Sequence, residues 1–509
     1  MDFGRIELFT DVEEVTKDNL IDILRAVVPE HEKNAQNIEM LLNFEKGYQP
    51  ILRVKKYRPD IDTKCVDNLA NEITEFKESY NWGSPITLVM REQMGDENSD
   101  IAEAVSFLNR CFQSQDYNAK QQKLARFVEI CGVGYTYIDI NTDYVEGESP
   151  FTINVLDPRC CFVVRSSREL DRRVMLSVSY YCDKHGNKTF TVFTNRQRFE
   201  VNHLYEHTER SGEANPLGIN PITEWIRSYD RMGCFERQID ELNNLNLLVS
   251  DFTNCVDQET QAVWHCNDVD FPTEIVKNED GTETERVRKP KTNDWVQTYT
   301  TAEGKTPFIS SLSIKYDYEG MLNNIITRRA LILEKCNVPS RNDNSGGSTG
   351  IAMSDATGWT QADVEATKQD QIKESCKLNE VRIALRAVAK CPGFPQDHPL
   401  RKLNHFDVKT SIKRQRTFEM TTKINAYATG VSHGINYKDM LSAINLFDDP
   451  QQVAENSKES TMAYLQSVFY GKNEAVGGVD EKAPNSDRLE QDKSDQETQS
   501  PNMSGSATE

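Results

Sequence analysis

A helical seam through the middle of the chain reads Phe235-Glu-Arg-Gln-Ile239-Asp-Glu-Leu242-Asn-Asn-Leu245-Asn-Leu-Leu-Val249-Ser-Asp-Phe252-Thr-Asn-Cys-Val256. Its apolar residues recur every three or four positions, which predicts a helix that packs a narrow stripe against a neighbouring helix. Upstream, Asn220 and Pro221 have the residue types of an N-cap and a first helical position, and Glu224 suits a first turn. We therefore expect the helix to span 221–263, with a neighbour from the same or another molecule.

A second helical pattern, residues 317–338, follows after a stretch of β character. Its apolar residues have helical spacing, and Pro339 marks its end. Between the two helices, at 264–316, two runs of β-forming residues flank Asp280-Gly281, a hairpin-turn signal. The sequence thus predicts two helices that bracket a small β-containing insertion.

The first 220 residues change from helical to strand patterns. Helical periodicity runs from Asp18 to about Glu78 with a break at Pro29, and it returns at 101–130 before a strand at 135–140. Residues 174–181 and 188–193 flank a turn-forming cluster, and 198–205 fits a third strand. Region 1–220 is therefore expected to contain helices followed by a β-meander.

Downstream of the second helix, the chain alternates between loop and helix patterns. Residues 339–358 are polar and glycine-rich, which predicts a loop. Thr360 and Asp363 resemble a capping box that opens a helix at 359–392. We expect a strand within 393–420, short helices within 421–470 and a disordered acidic tail at 471–509. The predicted fold class is α+β, mainly helical.

Charge and hydropathy argue against several classes of protein. The 509 residues include 80 Asp and Glu against 59 Lys and Arg, a net charge of -21. Such a surface repels DNA phosphates, which argues against a protein that grips DNA. The start of the sequence lacks the pattern of a signal peptide, and apolar runs are too short to span a membrane. Twelve scattered cysteines without a Cys-x-x-Cys pair suit reduced thiols in cytosol.

One enzymatic motif needs consideration. His203, Glu206 and His207 match the His-x-x-Glu-His pattern of one class of zinc peptidases, which requires a helix. The flanking residues alternate as in a strand, which would separate the histidines by about 13 Å. A zinc hydrolase is therefore the least favoured alternative, and we expect no catalytic residue, cofactor or metal.

Two basic clusters stand out from the acidic background. One comprises Arg286, Arg288, Lys289 and Lys291, and the other comprises Lys413, Arg414 and Arg416. Each is either a set of solvated residues that balances nearby acids, or a contact surface for DNA phosphates or an acidic partner. The sequence leaves both interpretations open.

Short motifs occur in a consistent order between about residues 20 and 470. They include Phe44-Glu-Lys-Gly47-Tyr-Gln49-Pro-Ile51, Tyr80-Asn-Trp-Gly83-Ser-Pro85-Ile86, Ile130-Cys-Gly132-Val-Gly-Tyr135, Leu156-Asp-Pro158, Asn215-Pro-Leu-Gly218-Ile-Asn-Pro221-Ile222, Asn337-Val338-Pro339 and Ser348-Thr-Gly350-Ile-Ala352. In this order they resemble the portal proteins of tailed bacteriophages, of the type found in long-tailed phages of Gram-positive hosts.

The resemblance implies an architecture. Region 1–220, the helix at 359–392 and the strand within 393–420 would form the wing. The helices at 221–263 and 317–338 would form the stem, with 264–316 as the clip. Residues 339–358 would be the tunnel loop and 421–470 the helical crown.

The resemblance also implies partners. Portal proteins form rings of twelve subunits at one capsid vertex and are assembled in the host cytoplasm. The terminase large subunit drives double-stranded DNA through the ring, and head-tail connector proteins receive it at ejection. Major capsid and scaffolding proteins would be further partners, and no membrane would be involved.

Two sets of candidate site residues follow from the resemblance. Arg341, Asn342, Asn344 and Ser345 of the tunnel loop would touch passing DNA. The basic cluster Arg286, Arg288, Lys289 and Lys291 of the clip would contact the motor, the connector or DNA. An acidic ring with weak polar loops suits a duplex that must slide. A nonviral oligomeric adaptor remains an alternative.

Overall fold

The computed structural model describes residues 3–53, 62–91, 98–260, 263–267, 273–277, 283–287, 308–312, 316–339, 358–414, 419–437, 440–441, 453 and 457. They form a mixed α and β architecture in which helix predominates, so the predicted fold class is confirmed. The chain divides into two units, Met1–Met420 and Thr421–Glu509. Among the described helices, none has both the length and the apolar composition that crossing a membrane requires.

The N-terminal part is mainly helical. Its elements are β1 (Leu8–Thr10), α1 (Lys17–Glu45), a 3₁₀ turn (Pro50–Arg53), α2 (Leu69–Trp82), β2 (Thr87–Met90), α3 (Asn98–Gln113) and α4 (Tyr117–Cys131). The predicted break at Pro29 is wrong, since α1 continues through it. Leu24, Val27 and Val28 are buried beside the proline, and their packing outweighs the lost backbone hydrogen bond. The predicted helix at 101–130 is two helices, because the chain turns at Asp116, whose φ is 53°.

Two sheets follow. Their remaining strands are β3 (Val133–Ile140), β4 (Phe151–Leu156), β5 (Cys161–Ser166), β6 (Val174–Cys182), β7 (Lys188–Phe193), β8 (Gln197–Val201), β9 (Glu213–Ala214) and β10 (Ile222–Ile226). One sheet has the order β1-β5-β6-β7-β8-β9, and the other has the order β10-β3-β4. The predicted meander is confirmed as β6-β7-β8, although its third strand ends at Val201.

Strand β10 corrects the predicted start of the long helix. Residues 222–226 pair antiparallel with β3, so that Trp225 lies opposite Gly134. Trp225 is 1% exposed, packs on Trp82 and donates Nε1–H to Thr136 Oγ1 over 3.1 Å. This burial favours a strand. Helix α5 (Ile239–Thr260) begins only after an intervening turn.

The elements after α5 match the predicted order. They are β11 (Val263–Asn267), β12 (Thr273–Lys277), β13 (Glu283–Val287), β14 (Phe308–Leu312), α6 (Tyr318–Lys335), α7 (Trp359–Lys390), β15 (Val408–Ser411) and α8 (Glu419–Ser432). β11 pairs with β14, and the predicted hairpin is confirmed by the antiparallel pairing of β12 and β13. The predicted capping box at Thr360 and Asp363 is wrong. The N-cap of α7 is Gly358, which has a left-handed conformation and provides no side-chain cap. The late strand, β15, lies within the predicted range 393–420, and it pairs with β2.

Apolar packing places α7 against the three-stranded sheet and α3. One core cluster joins α1, α2, β3 and α5 with the end of α6, and another joins α3, β4 and α7. A third packs the first half of α1 against the six-stranded sheet. The eleven cysteines whose side chains are described are free thiols, and six of them are buried. In the second unit, Leu441 packs with Tyr427, Tyr437 and Met440.

Candidate functional site

The seam that predicted α5 is apolar where it meets α6. Ile239, Leu242 and Leu245 are buried in the same cluster as Ile332 and Cys336 at the end of α6. At the other end of the pair, Phe252 meets Tyr318 edge to face, with ring centroids 6.0 Å apart. Helices α5 and α6 therefore pack against each other within one chain, as the spacing predicted.

Helix α6 also carries apolar side chains that point to solvent in the single chain. Leu322, Ile326 and Leu331 are each about half exposed, at 47%, 51% and 47%. On α5, Leu247 is 47% exposed and Val256 is 38% exposed. The helix pair therefore presents apolar surface beyond its mutual contact.

A polar ladder covers a different face of α5. Side-chain oxygens four residues apart on the helix accept hydrogen bonds from backbone N–H groups two residues apart in the extended segment 62–68. The pairs are Asn254 with Thr63 (2.7 Å), Ser250 with Cys65 (3.0 Å) and Asn246 with Asp67 (2.9 Å). Four helical residues rise about 6.0 Å and two extended residues about 6.6 Å, so the two spacings match. The ladder docks the segment along α5.

The same extended segment is tied to α6. Arg329 binds both carboxylate oxygens of Asp67, at 2.7 and 2.8 Å, and its other nitrogen lies 2.5 Å from Glu72 of α2. The two terminal nitrogens of Arg329 thus bind two different carboxylates, and these contacts fix the planar guanidinium more firmly than a single contact would. Helices α2, α5 and α6 are thus joined through residues 62–72.

Segment 340–357 lies between α6 and α7, and its two flanks lie close together. A Cβ atom built on Gly358 would be 3.9 Å from Cα of Pro339. Gly358 has φ 85°, and Asn337 is a non-glycine residue with φ 52°. The chain therefore leaves α6 and returns to α7 at one place.

A partly buried carboxylate, Glu365 of α7, links both flanks to α2. It accepts from Lys77 Nζ over 2.5 Å and from Asn337 Nδ2 over 3.0 Å, and it pairs with Arg227. Lys77 Nζ also donates to the Asn337 carbonyl over 3.2 Å. Burial alone would raise the pKa of Glu365, but the charges of Arg227 and Lys77 outweigh it and hold that pKa below its usual value.

Arg227 continues the network to α4. Its Nε donates over 2.9 Å to Glu129, which is fully buried and also accepts from Trp82 Nε1 at 3.0 Å and Asn81 Nδ2 at 3.1 Å. Burial alone would raise the pKa of Glu129. The positive charges of Arg227 and Lys373 lower it by more, so the pKa lies below its usual value. The fully buried Glu129 and the partly buried Glu365 are therefore both ionised at neutral pH and share one guanidinium.

Aromatic contacts fix the first turn of α7. The Trp359 ring lies edge-on against Phe76 and Tyr80 of α2, with centroids 5.9 and 5.6 Å away. The Tyr80 hydroxyl donates to Asp363. The start of α7 is thus held on α2 by both packing and hydrogen bonding.

Most of the predicted DNA-contact residues lie outside the described residues. These are Arg341, Asn342, Asn344 and Ser345, together with Arg288, Lys289 and Lys291 of the basic cluster. Arg286 is described: it is exposed on β13 and lies opposite Glu274 of β12. In the second basic cluster, Arg414 pairs with Asp370 over 2.5 Å. Arg414 therefore balances a nearby acid, as one of the two interpretations has it, but at 17% exposure its side chain is not fully solvated.

The zinc-peptidase motif lies on a turn. The predicted strand ends at Val201, and Tyr205 has φ 60°. His207 uses both ring nitrogens in hydrogen bonds, Nδ1 with Ser211 Oγ at 2.6 Å and Nε2 with the Lys17 carbonyl at 2.9 Å. Within the described residues, no group of three His, Cys, Asp or Glu side chains is placed to hold a metal ion.

The buried network was missed by the sequence interpretation, although α7 carries a signal for it. Glu365, Gln369, Lys373 and Lys377 are spaced by four, so they share one helix face. The last three are at most 6% exposed. Polar residues at core spacing within a long helix predict a buried polar network, but they do not identify its partners.

Comparison with known proteins gives one informative result. A search of curated proteins finds no match. The family model described as "Phage portal protein, SPP1 Gp6-like" matches residues 25–464. The match includes both sheets except β1, helices α2 to α8, most of α1 and the whole network around Glu365. Because it covers most of the 509 residues, the chain belongs to the SPP1 Gp6-like family of phage portal proteins.

Proposed function

We propose that twelve copies of this portal protein form a ring at one capsid vertex of a phage, through which double-stranded DNA is packaged and later ejected. The family match over residues 25–464 carries the proposal. The helix pair α5 and α6 supports it, since the exposed Leu322 and Ile326 offer apolar surface to a second copy.

We assign the parts of the ring to elements of the chain. Helices α5 and α6 are the stem, and residues 264–316 between them are the clip. Residues 339–358 are the tunnel loop, and 421–470 are the crown. The wing comprises 1–220, α7 and the strand β15, which pairs with β2 of the N-terminal part.

The charge of the chain suits a channel through which DNA slides. DNA carries about one charge per 1.7 Å of duplex, and each lysine or arginine on a phosphate adds to the resistance. A subunit with a net charge of -21 keeps such contacts few. Transient contacts then fall to Arg341, Asn342, Asn344 and Ser345.

The proposed partners outside the ring follow from the same assignment. The terminase large subunit and head-tail connector proteins would contact the clip, through Arg286 and its neighbours Arg288, Lys289 and Lys291. Major capsid and scaffolding proteins would surround the ring during assembly in the host cytoplasm.

The alternatives are not retained. Membership of a phage portal family argues against a nonviral adaptor, and that family is structural rather than enzymatic. A zinc hydrolase would require His207 as a ligand, yet both of its ring nitrogens are hydrogen-bonded to Ser211 and Lys17.

Electron microscopy and native mass measurement of the purified full-length chain test the ring. We expect twelve-fold particles with a central hole. Monomers, or closed oligomers without a hole, would contradict the proposal. Deletion of 342–349 tests the tunnel loop: rings should persist while DNA packaging falls, and unchanged packaging would refute that assignment.

A further inference from the structure

We propose that Lys77, Asn337 and Glu365 act together as a root clamp that holds both flanks of segment 340–357 in one place. Their role is positional, and the inference rests on the proposed function only where it concerns DNA passage. The three residues come from α2, the end of α6 and the second turn of α7.

The root clamp is a closed triangle of contacts. Lys77 Nζ donates to both of the others, to Glu365 over 2.5 Å and to the Asn337 carbonyl over 3.2 Å. The side-chain amide of Asn337 donates to Glu365 over 3.0 Å. Asn337 therefore uses its backbone and its side chain at once, and loss of its amide removes the direct bond between the two flanks.

Backbone conformation explains why asparagine occupies this corner. The φ of 52° at Asn337 lies in the left-handed region. Residues other than Gly, Asn and Asp rarely adopt this conformation. Of these three, Asn alone offers an uncharged donor that can reach a carboxylate. The residue both ends α6 and binds the start of α7.

The surroundings make the triangle rigid. Lys77 is 2% exposed, and Cys336 and Val338 on either side of Asn337 are 5% and 7% exposed. Arg227 holds Glu365 from the other side and is itself held by the buried Glu129. A carboxylate held at both of its oxygens in this way keeps Asn337 beside the start of α7.

The root clamp holds the two residues on either side of segment 340–357 in fixed positions. Pro339 and Gly358 adjoin within about one residue's width, so any force on the segment passes directly to α2, α6 and α7. Without the amide of Asn337, the flanks keep only the contacts that each makes separately with Lys77 and Glu365. The root clamp therefore holds Pro339 and Gly358, the residues on either side of the segment, beside each other.

The test uses the full-length assembled protein and the substitution Asn337→Gly. Glycine accepts the left-handed φ without strain, so this change removes only the amide. Glu365→Gln, which keeps the shape but loses the charge, is the second variant. Lys368→Met, at an exposed position of the same helix, is the control. Hydrogen–deuterium exchange is followed at 336–339 and 358–366, together with melting temperature and DNA packaging.

We expect exchange at these two flanks to rise about tenfold in Asn337→Gly, as the loss of one hydrogen bond to a charged group implies. Exchange in α1 and the control should not change. Equal acceleration throughout the chain would show an ordinary core contact and overturn the root clamp, as would unchanged exchange at the flanks.

The packaging measurement separates this inference from the proposed function. Faster exchange at the flanks with intact rings and reduced packaging supports both. Faster exchange with normal packaging supports the root clamp and counts against the role of 339–358 in DNA passage.

Discussion

The guanidinium of Arg5 lies 2.5 Å from the carboxylate of Glu236, and the two side chains are only 3% and 2% exposed. Glu236 also accepts from the backbone N–H of Gly4 over 2.7 Å, while Arg5 donates to the Cys131 carbonyl over 3.0 Å. The N-terminal strap, residues 3–10, is thus anchored at the base of α5, although the family match begins only at residue 25.

Removal of one partner of the Arg5–Glu236 pair should therefore destabilise the folded chain. We expect Arg5→Met to lower the free energy of unfolding by about 3 kcal/mol, because it leaves Glu236 buried without its counter-charge. Urea denaturation measures the difference. Arg168→Met, which removes an exposed pair with Glu13, is the matched control and should cost less than about 1 kcal/mol. Equal effects of the two substitutions would contradict the anchoring role.

His31 should make the free energy of unfolding depend on pH. Burial lowers its pKa to about 4 from 6.5, against a hydrogen bond with the Arg159 carbonyl that raises it. Between these two pH values the unfolded chain binds a proton that the folded chain does not. The free energy of unfolding should therefore fall as pH drops from about 6.5 to 4, by up to about 3 kcal/mol.

Denaturation at several pH values checks this contribution. His31→Gln should flatten the pH dependence in that window, because glutamine does not titrate. His185→Gln, at an exposed turn position, should leave it as it is in the unaltered protein. A pH dependence that survives His31→Gln would mean that other groups cause it.

The polar ladder on α5 should stabilise segment 62–68. Ser250 is 2% exposed, and its substitution by alanine leaves the partly buried N–H of Cys65 without its acceptor. We expect a loss of about 1–2 kcal/mol and faster amide exchange at Cys65. Asp251→Ala, one residue away on the exposed face, should change neither quantity. Unaltered exchange at Cys65 in Ser250→Ala would show that the ladder contributes little.

The exposed apolar residues of α6 should matter for assembly under the proposed function. Ile326→Asp places a charge on a side chain that is 51% exposed in the single chain. We expect smaller particles in sedimentation velocity with an unchanged circular dichroism spectrum, since a charge in an apolar interface opposes association. Leu170→Asp, at a fully exposed position, is the control. Intact rings from Ile326→Asp would exclude this face from the subunit interface.

Local patterns predicted several elements well. The spacing of apolar residues located α6, and the turn signals located the meander and the β12–β13 hairpin. These features depend on neighbours within a few residues, so the sequence contains the information directly. The α+β fold class and the portal family resemblance were also available at this level.

Other elements depended on distant contacts. Asn220 and Pro221 suit the start of a strand as well as that of a helix, and it is the burial of Trp225 against Trp82 that makes 222–226 a strand. Pro29 lies inside a helix because the surrounding apolar residues pack on the six-stranded sheet.

The sequence by itself determined the α+β fold class, the acidic character and the family, together with the helices and strands whose signals are local. Only the tertiary structure decided which polar side chains meet: Glu365 contacts Lys77 across 288 positions of the chain and Asn337 across 28. A carboxylate on a helix face has the same sequence pattern whether it faces water or a buried lysine. Its environment is set by the packing of α2 and α7 around it, which local periodicity does not contain.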